Sequence, residues 1–169
     1  MSRKNDKRRG FSLVEMIIYI SILVFLLGII MSITVSIITS QRKVNASRSI
    51  ENSAMLALER VSRELRAAVS IDIVSSVFDT DPGILVLDST DEDGNPRTIK
   101  FSLSSGAIYL EEDGVIIGPV TQADARVNDL IFRRFTSGVL EGARVELTLE
   151  SGTSTSYRVN NFYSSSIIR

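Results

Sequence analysis

The sequence predicts an α+β chain: one long N-terminal helix followed by a small antiparallel β head. Three observations carry that class. Met16 to Ile38 is an apolar run of 23 residues without a charge or a proline. From Ile29 to Asp81 there is neither proline nor glycine, so a helix that starts in the apolar run has no reason to stop within it. After Asp79 the chain breaks into short runs of β-type residues separated by Gly, Pro, Asn and Asp, the punctuation of hairpins.

The apolar run comes first. As a helix its 23 residues extend about 35 Å, enough for a hydrocarbon core of about 30 Å. It reads as a membrane span. Arg3, Lys4, Lys7, Arg8 and Arg9 precede it against the single acid Asp6, which places the N-terminus on the cytoplasmic side and the rest of the chain outside. A secretory signal has a shorter apolar core that ends at a small-residue cleavage site, and none follows here, so the helix is expected to stay. Glu15 is the unusual residue. An acid at the end of a span costs about 2–3 kcal/mol to insert and calls for a partner.

Gly10-Phe11-Ser12-Leu13-Val14-Glu15, after Arg8-Arg9 and before the span, resembles the processing motif of type IV prepilins and type II secretion pseudopilins. The resemblance implies a membrane-embedded prepilin peptidase that cuts between Gly10 and Phe11, followed by N-methylation of Phe11. It implies that Glu15 pairs with the N-terminal amine of a neighbouring subunit in a filament. The partners it implies are the membrane, the peptidase, other pilin or pseudopilin subunits and, through them, an assembly platform and its ATPase. The location it implies is the bacterial cytoplasmic membrane, then a pilus or pseudopilus. The physics agrees. Glu15 lies one helical turn from Phe11 on the same face, and two opposite charges about 4 Å apart gain on the order of 4 kcal/mol at an effective dielectric near 20. That offsets the insertion cost. The plainer account is a signal anchor whose Glu15 sits at headgroup level.

The net charge of −1 hides an asymmetry: without residues 1–10 the chain keeps 14 bases and 19 acids, a net of −5. A mildly acidic chain argues against nucleic acid as a partner, because phosphate backbones are held chiefly by clustered Lys and Arg. There is no cysteine, hence no disulfide and no thiolate metal site. Many major pilins close a C-terminal loop with a disulfide, and the departure favours a minor pilin or a pseudopilin. There is no histidine either, which removes the commonest general base and zinc ligand and argues against an enzyme. No cofactor is called for.

Beyond Thr39-Ser40-Gln41-Arg42-Lys43, Ile50, Ala54, Leu58, Val61, Leu65, Ala68 and Val69 fall at helical spacing, with Glu51, Glu59, Arg60, Arg63, Glu64 and Arg66 on the other faces. The helix is therefore expected to run to about Ser70, and the resemblance implies that its second half packs on a small sheet. The expected layout is a leader over 1–10, a span over 11–38, an amphipathic continuation over 39–70 and an exported head over 71–169. Asp79-Thr80-Asp81-Pro82-Gly83 is a break. Expected strands are Ile84 to Leu87, Thr98 to Leu103, Ala107 to Leu110 and Val115 to Ile117. Gly118-Pro119 is expected to interrupt, and Val120 to Asn128 to be a loop. Leu130 to Phe135, Val145 to Leu149 and Ser156 to Val159 then lead to the end. The Asp129 to Phe135 run and the closing Phe162 to Arg169 are similar to the J-type minor pseudopilins of type II secretion.

Three other features invite function. Asp88, Asp91, Glu92, Asp93 and Gly94 suggest a calcium loop, but an EF-hand register that aligns Asp91, Asp93 and Gly94 puts Ser89 at the first ligand and Lys100 where the bidentate Glu belongs. Asp88, Asp91 and Asp93 remain weak metal candidates beside the plainer reading of a solvated turn. Arg133 and Arg134 between Phe132 and Phe135 would suit the nucleic acid of a DNA-uptake pilus, yet adjacent strand residues face opposite sides. The Ser and Thr residues from 151 to 156 lack an activating base. Two functions compete: a structural pilin-like subunit that works by assembly, and an unprocessed single-pass protein whose head binds a ligand.

Overall fold

The stretch without proline folds as one helix, α1, from Leu13 to Ala67. The computed structural model describes residues 12–91, 93–138 and 140–168, and its class is the α+β one the sequence predicts. The leader with the Gly10-Phe11 junction lies outside the described residues. By its internal contacts the chain divides at Ser40/Gln41 into an N-terminal unit and the head unit.

In the N-terminal unit every large apolar side chain from Leu13 to Ile38 is exposed. Two of the hydroxyls among them are satisfied within the helix, Ser21 donating to the Ile17 carbonyl (2.8 Å) and Thr34 to that of Ile30 (2.9 Å). Beyond the first turn the helix backbone and these two hydroxyls thus need no water, as a bilayer requires.

In the head unit Ile50, Ala54, Val61 and Leu65 of α1 are buried as their spacing predicts, Leu58 is partly buried, and Ala57 joins the buried face. Each of the larger ones contributes about 1.5–3 kcal/mol by leaving water. The helix ends three residues before Ser70. Its successors Val69, Ile71, Ile73 and Val74 are β-branched, and Ser70 and Ile71 form a short strand, β1 (Ser70–Ile71), opposite Asp88 and Leu87. Ser89 donates its hydroxyl to the carbonyl of Ala67, capping the helix end at 3.3 Å. Val69, expected in the stripe, is 67% exposed because helical spacing no longer applies there. Glu64, expected on the charged face, is buried.

The strands divide into two antiparallel sheets. β1, β2 (Ile84–Thr90), β3 (Pro96–Ser104), β4 (Ala107–Glu112) and β5 (Val115–Pro119) form a five-stranded meander in chain order. Ser105-Gly106 and Asp113-Gly114 make its two-residue turns, with φ of 53° and 78°, and of 50° and 81°. Positive φ at both positions is the type I′ geometry that matches strand twist. Gly118 and Pro119 lie within β5 and do not interrupt it. Proline is tolerated there because β5 is an edge strand.

β6 (Arg126–Ser137), β7 (Leu140–Ser151) and β8 (Arg158–Ile167) form the second sheet, with β7 central. β6 begins at Arg126, inside the stretch expected to be a loop. A bulge between Val127 and Asp129 shifts the register, so Val127, Leu130 and Phe132 are buried without period-two spacing. On β7 the alternation holds from Ala143 onward, with Ala143, Val145, Leu147 and Leu149 buried. Leu85, Leu87, Ile99 and Phe101 from one sheet join Leu130, Phe132 and the β7 residues from the other, and with the α1 stripe they make one core.

Gly142 on β7 is fixed by space. A Cβ there would meet the Ser166 carbonyl oxygen at 2.5 Å and the Phe135 ring at 2.7 Å. Gly142→Ala is expected to destabilise the head by about 1–3 kcal/mol, read as a lower thermal midpoint, because a strand carbonyl cannot step aside as a flexible side chain can. An unchanged midpoint would show that β8 moves freely against β7.

Candidate functional site

The first turn of α1 opens with Ser12, whose carbonyl accepts the Met16 N–H at 3.2 Å. Glu15 therefore sits among the helix's unpaired N–H groups, where a carboxylate gains about 0.3–1 kcal/mol from the helix dipole. It is half-buried, and Tyr19, four residues on, donates its phenol O–H to Glu15 Oε1 at 2.9 Å. Tyr19 is a partner that sequence reasoning missed, although its i+4 spacing was legible. The other carboxylate oxygen of Glu15, Oε2, accepts no side-chain hydrogen bond among those of the described residues. Phe11, the expected processing partner, lies outside the described residues, so the two halves of the motif are related here by sequence spacing alone.

The second charged cluster is internal to the head. Glu64, its side chain 6% exposed, meets Arg60 Nε at 3.0 Å and an Arg97 amino group at 3.3 Å, while the other Arg97 amino group reaches Glu112 at 2.8 Å. Arg97 belongs to β3 and Glu112 to β4, so the cluster ties α1 to the five-stranded sheet. The carboxylate is occupied from two sides, so the cluster serves to hold α1 on the sheet.

Asp88, Asp91 and Asp93 do not converge. Asp88 accepts the Ser70 hydroxyl at 2.8 Å. Asp91 accepts the N–H groups of Asp93 and Asn95, at 2.9 and 2.7 Å, and the Asn95 side-chain amide at 3.0 Å. The Asn95 bonds hold the Asp91 carboxyl below its ordinary range, stabilising the turn itself. Among the described residues there is no group of three or more acids that could hold a metal ion.

Arg133 and Arg134 are both engaged. Arg133 bridges Glu146 and Asp79, each at 2.9 Å, and Arg134 pairs with Glu141. The hydrogen bond from Arg133 keeps the Glu146 carboxyl low, and the same bond raises Arg133. Ser154–Ser156 is a short 3-10 turn between β7 and β8, with Ser156 bonded to Thr153 rather than to a base.

Residues 5–38 match the family described as the prokaryotic N-terminal methylation motif. The match covers Gly10, Phe11, Glu15 and the apolar run, and it supports a pilin or pseudopilin type of substrate for prepilin peptidase. No curated protein matches the chain, and no solved structure does. α1 is also long and apolar enough to cross a membrane.

Proposed function

We propose that this chain is a structural subunit of a type IV pilus or type II secretion pseudopilus. Prepilin peptidase removes residues 1–10 as a leader by cutting between Gly10 and Phe11, and Phe11 is N-methylated. Residues 11–38 hold the subunit in the bacterial cytoplasmic membrane, the helix continues amphipathically to its end at Ala67, and the remainder is an exported head. Glu15 pairs with the Phe11 amine of a neighbouring copy, and the chain acts by assembling rather than by catalysis. The absence of cysteine favours a minor pilin or a pseudopilin over a major pilin.

One observation carries the reading: the methylation motif leads directly into a helix whose apolar side chains are uncovered over the length of a bilayer, with a single acid in its first turn. Isolated apolar helices of this kind associate by packing and by interhelical polar bonds. The test is mass spectrometry of the mature N-terminus from the native host. A chain that begins at methylated Phe11 is expected. A chain that still begins at Met1 would overturn the proposal in favour of an unprocessed anchor.

A further inference from the structure

Between α1 and β8 the head carries a groove of about 760 Å³ whose apolar lining is Met55, Leu58 and Phe162. Along α1 its charges run from Glu51 and Glu59 to Arg63 and Arg66, so the groove is acidic at one end and basic at the other. β8 is the outermost strand of its sheet, and no described strand pairs with its outer side. A strand laid there, at about the 4.8 Å spacing of a sheet, would continue the three-stranded sheet and cover Leu58 and Met55, the latter 68% exposed. The groove has the form of a vacant strand position.

β5 has the matching character. It is the outermost strand of the other sheet, and its Val115, Ile116 and Ile117 are 63%, 64% and 59% exposed in succession. No other strand among the described residues shows consecutive exposed aliphatic residues on both faces. Within one head β5 cannot fill the groove. It borders α1 on the side of Arg60, with which Ile117 and Pro119 share a cavity, and Arg60 lies roughly 200° around the helix from Leu58.

We infer that β5 of a second copy lies in this groove, paired edge to edge with β8, its apolar side chains over Leu58 and Phe162. Asp113, in the turn just before Val115, meets the Arg63 and Arg66 end and fixes the direction. The contact deepens the filament reading and rests on it. Because groove and strand occupy opposite flanks of α1, the contact is heterologous, the class of interface from which open filaments are built when the rotation between copies does not close.

The chain has no cysteine, so single cysteines can report the contact without background. Two tagged full-length copies are co-expressed in the native host, one carrying Met55→Cys and the other Ile116→Cys, and mildly oxidised. The mixed disulfide is expected at least fivefold above that of Met55→Cys with Val74→Cys, an exposed position beyond the opposite edge of the β5 sheet. Val24→Cys in both copies reports packing of the apolar helices. An adduct at Val24 with no excess for the Met55 and Ile116 pair would overturn the groove contact alone. Absence of both adducts would overturn the filament reading with it. Capture of a different subunit by Met55→Cys would overturn the assignment to a second copy.

Discussion

Glu64→Ala is expected to remove about 3–5 kcal/mol from the stability of the head and to lower its thermal midpoint by roughly 10–20 °C. The glutamate is 6% exposed and is held by Arg60 and Arg97, while Arg97 also holds Glu112. Removal of the shared carboxylate leaves two arginines packed against α1 and β3 with one acid between them. The penalty is the unpaired charge rather than the lost attraction, since a buried ion pair taken whole is close to neutral against apolar packing. Two comparisons follow from that asymmetry. Glu112→Ala should cost far less, because Glu112 is 30% exposed and Arg97 keeps Glu64. Replacement of Arg60, Glu64 and Arg97 together by leucine or methionine should recover most of the loss. Circular dichroism melts of the full-length chain in detergent read all three. A midpoint within a few degrees of the parent for Glu64→Ala would show that water reaches the site.

Glu64 also marks where sequence reasoning stopped. The stripe of Ile50, Ala54, Val61 and Leu65 was readable because apolar residues announce a buried face. A glutamate at the border of that face announces solvent, and its burial depends on Arg97, which is 33 positions away and placed by a β-hairpin. Pairing over such distances leaves no local signal. The turns show the converse: Ser105-Gly106 and Asp113-Gly114 were legible because positive φ is a demand on residue type. The start of β6 was not, since its bulge removes the alternation that would have revealed Arg126 to Asn128 as strand. Ser70–Ile71 is too short to carry a period. At the N-terminal site the motif was read from residues alone, and the structure adds the Tyr19 hydroxyl on Glu15.

Glu15→Ala is expected to leave the chain in the membrane and abolish its assembly. Insertion should not suffer, because alanine removes an acid that costs about 2–3 kcal/mol near the end of a span. On the proposed pairing, assembly should fall by about two to three orders of magnitude in copurification with partner subunits, since the neighbour's amine would lose a contact of roughly 3–4 kcal/mol. The helix itself loses the hydrogen bond from Tyr19 at 2.9 Å, so a purely intrahelical role for Glu15 must be separated from a role between copies. Tyr19→Phe makes that separation. It deletes the same hydrogen bond and keeps the carboxylate, so assembly should drop at most several-fold if Glu15 serves a neighbour, and as far as in Glu15→Ala if the acid serves only its own helix. Quantitative immunoblots of membrane fractions and of affinity-purified partners measure both steps. Normal assembly of Glu15→Ala would remove the neighbour's amine from the account and leave the helix dipole as the reason for an acid in the first turn.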